Sequence, residues 1–292
     1  MRQMRVMVSR NVILFLKNKT NVLLCFFAIV TVVGLYVIFL RNFMIHSVEN
    51  AGLNPLYINE FTDRLMVSGL LTVINTTTCF GIMQMSVADA AAGVKWDLLV
   101  SPISRFQLEL CYWITSIIVS FGYSALTFCL AEYYFSVIYK DRVSLAMMFK
   151  CFGILLFSSC MNSGLLICII RFMRDTTSFS TFGNLYGMLC GFFAGTYLPY
   201  SMYPETLRKI LFYFPPMQLT SIIRRTNLSV FIEDGRVIGT QLYQMYGVQF
   251  VKGGYVVTMR EQWSYLWIAM AVVLFIMRIE YRENALGVRV KK

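Results

Sequence analysis

The sequence has few of the residues that form common catalytic or metal centres. It contains one histidine, His46, and its eight cysteines include no CxxC pair, so it predicts neither a zinc site nor a disulfide framework. It contains no GxxxxGK[ST] phosphate loop, so we do not expect this chain to bind and hydrolyse ATP by itself. No Ser/His/Asp set or pair of carboxylates in an apolar run points to bond-breaking chemistry. We therefore predict a chain that is not an enzyme and that holds no metal or cofactor.

Charge is also scarce, at 14% of residues, whereas 58% of residues are hydrophobic and the mean hydropathy is +0.63. An average soluble domain is about 45–50% apolar and about 25% charged. A bilayer accounts for the excess, because residues that face lipid must be apolar. The net charge of +11 lies mostly in the segments between apolar runs, which favours a membrane protein over a nucleic-acid binder.

Six apolar runs are long enough to cross a bilayer. They lie at about 21–40, 65–88, 106–139, 145–170, 178–197 and 263–279. We therefore predict an all-α membrane protein, with a six-span transmembrane domain over residues 21–292. Lys and Arg are denser in one set of connecting segments (1–20, 89–105, 171–178 and 278–292) than in the other (41–64 and 140–144). This bias predicts that both termini are cytoplasmic.

Two further segments are predicted to lie at the membrane surface. Residues 1–20 mix cations with apolar residues, which predicts an amphipathic interfacial helix, with a basic juxtamembrane tail as the alternative. The external segment 198–262 contains the runs PETLRKILFYF and MQLTSIIRR, divided by Pro215–Pro216, and neither run can span. We predict re-entrant or interfacial helices at the outer leaflet, followed by a glycine-rich cap.

The second span is the most polar one. Its Ser68, Thr72 and Asn75 fall on one helical face that Thr76 widens, and Ser159 and Asn162 form a smaller strip in the fourth span. Polar groups avoid lipid, so both strips must face other helices or a water-accessible path. The sequence leaves both possibilities open, and these six residues are our candidates for lining the path.

The acids in the predicted spans are Glu109 and Glu132, each near one end of the third span, and we expect both to reach the interface. The fifth span has a glycine at every fourth position. These glycines are Gly183, Gly187, Gly191 and Gly195. The stripe predicts that another helix approaches backbone to backbone, either within one subunit or across a dimer interface.

The stretch DAAAGVKWDLLVSPISRFQLEL connects the second and third spans. Its Ser101–Pro102 pair predicts a turn between a short amphipathic helix and the third span. A short helix on the cytoplasmic side offers a surface to a soluble partner. The alternative is an ordinary intracellular loop.

The order of these parts resembles the permease subunits of ATP-binding-cassette type-2 exporters, including bacterial multidrug and antibiotic efflux systems. In that family an amphipathic helix precedes span one, a coupling helix lies between spans two and three, and re-entrant helices follow span five. The resemblance covers nearly the whole chain. The family's usual run of Glu and Arg before the glycine is reduced here to ADAAAG, so the polar contacts to an ATPase fall to Asp89, Lys95 and Asp97.

The resemblance implies a function as well as a fold. The implied ATPase-coupling residues are Asp89, Gly93, Lys95, Trp96, Asp97, Leu98, Leu99, Ser101, Pro102 and Arg105. The implied assembly has two permeases, identical or paralogous, in the plasma membrane, and two separate ATPase subunits that bind ATP and Mg. The implied cargo is an amphipathic drug, antibiotic or peptide, or else a glycan chain or lipid. An ion-coupled secondary transporter and a non-transporting membrane sensor are the alternatives from other classes.

Overall fold

The computed structural model describes residues 2–49, 55–140, 144–170, 172–173, 175–229, 231, 240–252 and 255–285. These residues are almost entirely helical, as the sequence predicts. Residues 286–292 of the basic tail, 141–143 of a connecting turn and 232–239 of the predicted cap lie outside the described residues, as do Arg171 and Arg174.

The helices are α1 (Arg2–Lys17), α2 (Lys19–Leu35), α3 (Arg41–Glu49), α4 (Ile58–Ala91), α5 (Val94–Val100), α6 (Arg105–Ile138), α7 (Leu145–Ile170), α8 (Thr176–Phe193), α9 (Glu205–Phe212), α10 (Pro215–Asn227), α11 (Thr240–Met245) and α12 (Met259–Ala285). A π-helical segment, Tyr36–Leu40, joins α2 to α3 without a break, and 3-10 turns lie at Pro55–Tyr57 and Tyr200–Met202. A small antiparallel hairpin pairs β1 (Val251–Lys252) with β2 (Tyr255–Val256).

Within the described residues, three helices are long and apolar enough to cross a membrane, namely α4, α6 and α7. They occupy the second, third and fourth predicted spans. The other predicted spans coincide with α2, α8 and α12, and their crossing of the bilayer stays a prediction.

The described residues 41–49 and 55–64 differ from the polar connecting segment that the sequence predicts. The helix that begins with α2 continues to Glu49, and α4 already starts at Ile58. Several of the charged side chains responsible for that expectation are paired, as in the contacts of Arg41 with Asp63 at 3.1 Å and of Arg64 with Glu60 at 3.0 Å. Pairing removes the need for water, so the chain stays helical.

The centre of the molecule is α4, which contacts α2, α6, α7, α8 and α10. Its side chains are buried along most of its length and on all sides, as expected for a helix surrounded by others. Helix α10 is also buried, with α4, α7 and α12 around it. One buried cation fixes it there: the Arg224 guanidinium donates to the carbonyl oxygens of Gly195 at 2.6 Å and Tyr246 at 2.7 Å.

At the end of the bundle where α5 connects α4 to α6, the N-terminal helix α1 packs against α4 and α6. Met7 of α1, with Leu108, Cys111 and Tyr112 of α6, forms a buried apolar cluster that also contacts α5. The N-terminal helix and α5 therefore pack on the same apolar cluster, which is called the shared base below.

Candidate functional site

The predicted short helix between the second and third spans is α5, seven residues long. Gly93 precedes it with φ of 79°, in the left-handed region that glycine adopts without strain, so α4 can end and α5 can leave in a new direction. After the Ser101–Pro102 turn, Ser104 caps α6. Its hydroxyl accepts from the Gln107 amide at 3.2 Å, while the Gln107 side chain accepts from the Ser104 amide at 3.0 Å.

The inner side of α5 is apolar and anchored. Leu98 and Leu99 pack against the cluster formed by Met7, Leu108 and Tyr112. These two leucines therefore hold α5 to the apolar cluster that it shares with α1, and their part in contacting an ATPase stays a prediction.

Two of the three polar residues that are predicted to contact an ATPase, Asp89 and Lys95, also form bonds within the chain. The Asp89 carboxylate accepts from the Tyr112 hydroxyl at 2.6 Å and from Arg10 at 3.3 Å. Lys95 donates to the Ser86 hydroxyl at 2.9 Å, and its ammonium lies 5.2 Å from the centre of the Tyr112 ring. Burial lowers the pKa of Lys95, against the opposing effect of Glu109 and Asp89. These bonds link α1, α4, α5 and α6.

The outer side of α5 is exposed and partly apolar. Trp96 is 63% exposed and Val100, which the sequence analysis did not select, is 88% exposed. The two are four residues apart, so they lie on one helical face, and that spacing is the signal that could have identified Val100. Asp97, Ser101, Pro102 and Arg105 are exposed beside them, and the Arg105 guanidinium lies 5.2 Å from the Trp96 ring centre.

The polar strip of α4 is used mainly for bonds between helices. The Asn75 amide donates to Ser124 at 3.1 Å and Ser159 at 2.7 Å, and it accepts from Ser158 at 3.2 Å and Asn162 at 2.9 Å. These four bonds connect α4 to α6 and α7.

The same strip also contacts α10. Ser68 accepts from the Asn227 amide at 3.1 Å, and Thr72 accepts from Thr220 at 2.9 Å. Of the six candidates for lining a path, all except Thr76 thus take part in bonds between helices, which is the other possibility that the sequence left open.

Thr76 lies instead beside a cavity of about 430 Å³ between α4 and α8. Thr77 and Phe80 line it from α4, and Tyr186 and Gly187 line it from α8. The cavity has both hydroxyl and apolar walls, so it suits an amphipathic molecule.

A comparison with protein-family models matches residues 2–228 to the membrane domain described as ABC-2 type transporter. The chain belongs to the ABC-2 type transporter family. It is a membrane-embedded permease of an ABC transporter, a transport subunit that is not itself catalytic. The match extends from α1 to the end of α10, so it includes α5 and the cavity beside α8. A comparison with curated proteins found no match.

The four glycines of the predicted stripe do not have the surroundings that the sequence predicts. Gly195 lies beyond the end of α8, with φ of 67°. A Cβ at Gly183 would lie 1.7 Å from the Phe80 ring, and one at Gly191 would lie 2.4 Å from the Tyr197 ring. These two glycines make room for aromatic rings of the same chain, not for the backbone of another helix. Only a Cβ at Gly187 would meet ordinary contact, 3.5 Å from Thr77.

A buried group of charges that was not predicted from the sequence lies at the end of the permease opposite α5. Glu132, expected at the interface, is only 2% exposed. Its carboxylate lies 3.3 Å from Arg64, which also contacts Glu60 at 3.0 Å and Asn227 at 3.3 Å. The spacing of four residues between Glu60 and Arg64 is typical of an ion pair on one helix and could have indicated part of this group.

Proposed function

We propose that this permease exports an amphipathic drug, antibiotic or peptide across the plasma membrane, with both termini in the cytoplasm. A separate ATPase subunit supplies the energy and holds the ATP and Mg. The observation that supports this proposal most directly is the outer face of α5, where Trp96 and Val100 are exposed on a helix whose inner side is anchored.

Such a helix suits a coupling role for a mechanical reason. Its leucines and Lys95 bind it to the ends of α1, α4 and α6, so a force on α5 moves those helices rather than α5 alone. Its outer face presents an exposed tryptophan, the residue type most often responsible for affinity at protein interfaces. An ATPase that covers Trp96 and Val100 would thereby act directly on the base that α1 shares with α5.

The first prediction concerns the ATPase contact. We expect Trp96→Ala to weaken binding of the partner ATPase by about thirtyfold, because a buried tryptophan anchor at an interface contributes 2 kcal/mol or more. Binding of the ATPase to the purified permease in nanodiscs measures this. Trp267→Ala is the matched control, since Trp267 is 60% exposed but lies on α12. Equal affinities for the two variants would contradict the coupling role of α5.

Leu98 and Leu99 are poor positions for that test. Both pack into the apolar cluster below α5, so a charge there would disturb the shared base whether or not an ATPase binds.

We further propose that the cargo passes through the cavity between α4 and α8. A second permease, identical or paralogous, would close this path from the side of α8 on which Leu185 and Met188 are exposed.

The second prediction tests the path. We expect Thr77→Trp to abolish ATP-driven uptake of ethidium into inverted vesicles, because the indole projects into the cavity and obstructs it, while the ATPase still binds. Thr181→Trp, at an exposed position of α8 outside the cavity, should transport normally. Normal transport by Thr77→Trp would exclude this path. Transport of a lipid-linked glycan or a phospholipid in place of ethidium or a cationic peptide would support the alternative cargo.

A further inference from the structure

A second cavity, of about 500 Å³, lies between α2, α4 and α6 at the end of the bundle opposite α5. Neither the α5 surface nor the proposed path uses it. Its walls are mostly apolar: Met66, Val67 and Leu70 line it from α4, and Leu130 and Ala131 line it from α6. Its volume is within the range of about 300–1,000 Å³ that is usual for small-molecule sites.

One end of this cavity is polar, where Tyr36, Arg41 and Asp63 meet. The Asp63 carboxylate accepts from Arg41 at 3.1 Å, from the Tyr139 hydroxyl at 2.5 Å and from the Tyr36 hydroxyl. These donors occupy both carboxylate oxygens. Arg41 has five N–H groups and gives Asp63 only two of them, so its guanidinium can donate to another acceptor.

The π-helical segment creates this polar end. Side chains five residues apart on an α-helix point about 140° away from each other, because each residue turns the helix by about 100°. In the π-helical segment the Arg41 amide donates to the Tyr36 carbonyl, five residues back, so both side chains can reach Asp63. Such segments are rare and are found frequently at functional sites.

We propose that this cavity binds a small amphipathic molecule whose head is a carboxylate or phosphate. The head accepts hydrogen bonds from Arg41, since a guanidinium matches the oxygens of either group. The apolar body lies along α4 toward Leu70, over a length of about 10 Å for the seven residues from Asp63. The same chemistry is available from a membrane phospholipid and from a free fatty-acid-like molecule. This site is independent of the transport path and of the cargo.

Photo-crosslinking of the full chain in phosphatidylcholine nanodiscs tests this site. The probe is decanoate with a diazirine near the end of its chain, compared with decyltrimethylammonium that carries the same group. We expect adducts concentrated in peptides that contain residues 63–70 and 127–135, with the anionic probe labelling about tenfold more than the cationic one. Adducts spread evenly over the helices, or equal labelling by both probes, would overturn the proposal.

Substitutions test whether the probe binds in the cavity itself or elsewhere on the protein. Ala131→Phe fills the cavity and should reduce decanoate labelling about tenfold, whereas Ala146→Phe, on the exposed start of α7, should not. Leu130→Trp fills the same space from a position that is 59% exposed, so it provides the answer if Ala131→Phe does not fold. Arg41→Gln should reduce labelling, and Arg41→Lys should restore part of it. Unchanged labelling in both cavity-filling variants would overturn the proposal.

The source of the ligand is decided by a second lipid composition. If phosphatidylglycerol in the nanodisc competes with decanoate, the natural occupant is a membrane phospholipid. If it does not compete while the cavity-filling variants still block labelling, the occupant is a free amphipathic acid. Either result supports the site.

Discussion

Gly183 and Gly187 are one helical turn apart on α8, and their surroundings differ. The Phe80 ring lies where a Cβ of Gly183 would be, and it is held there by stacking on Phe179, with ring centres 4.4 Å apart. Gly187 has the cavity beside it and only Thr77 within 4 Å. The same residue type is therefore needed for packing at one position and is replaceable at the other.

The third prediction follows from this difference. Gly183→Ala should destabilise the permease by about 1–3 kcal/mol, because the methyl group overlaps a ring that cannot easily move. Gly187→Ala should leave stability unchanged or raise it by a few tenths of a kcal/mol, since alanine favours the helix. Unfolding of the two variants in detergent, monitored by the loss of tryptophan fluorescence, measures both changes in stability. Equal destabilisation of the two variants would show that the stripe acts as one packing surface.

For single residues, the sequence identifies which residue types form a site better than it identifies what each side chain contacts. Asp89 and Lys95 are predicted to contact an ATPase, which stays a prediction; their bonds to Tyr112, Arg10 and Ser86 within the chain were not predictable, because these partners are distant in sequence or on another turn. The spacing within α5 shows which side chains share a face, but which of the two faces is covered depends on the neighbouring α1.

Asn75 shows how one side chain organises three helices. Its amide makes two bonds as a donor and two as an acceptor, and all of its partners lie on α6 or α7. Because every donor and acceptor is used, the group rotates little, and it fixes the rotation of α4 relative to both neighbours.

The fourth prediction concerns this junction. Asn75→Leu should destabilise the permease by about 1–3 kcal/mol, since interhelical hydrogen bonds in membrane proteins average about 0.6 kcal/mol each and their partners are left buried. Thr78→Val is the control, because the Thr78 hydroxyl donates only to Ile74 of its own helix. The difference in stability between the two variants is measured from the fraction of folded permease at increasing SDS concentration. A loss for Thr78→Val as large as that for Asn75→Leu would argue against a special role for the junction.

Long apolar runs made the positions of α4, α6 and α7 predictable, because a helix is the structure that satisfies its own backbone within an apolar segment. The helices at residues 41–49 and 58–64 were not predictable in the same way. Arg41, Asp63 and Arg64 look like loop residues until their partners Tyr139 and Glu132, about 70 residues later, are known. Apart from the i,i+4 pair of Glu60 and Arg64, these contacts join residues far apart in sequence and leave no local pattern.

For the whole molecule, the exposed side of α8 raises the question of assembly. Leu185 is 55% exposed and Met188 is 60% exposed, both on the helix that borders the proposed path. A single chain leaves this side uncovered, and we expect a second permease to cover it.

The fifth prediction tests that arrangement. With the exposed Cys129 replaced by serine, Met188→Cys should form a disulfide between two permeases on mild oxidation in native membranes, seen as a dimer on a non-reducing gel. Phe149→Cys, 73% exposed on α7, is the control and should stay monomeric. A dimer from Phe149→Cys alone would place the contact on α7 instead of α8.

The burial of α4 by α10 also has a consequence for biosynthesis. Thr72 and Ser68 of α4 bond to Thr220 and Asn227, and α10 begins only at Pro215. At about 5–20 residues per second, the ribosome needs roughly 6–25 seconds to pass from the end of α4 to the start of α10. During that time Ser68 is partly satisfied by the Arg64 carbonyl of its own helix. A nascent chain that stops before α10 would leave the central helix without one of its neighbours, so we expect the packing around Ser68 and Thr72 to be completed only late in synthesis.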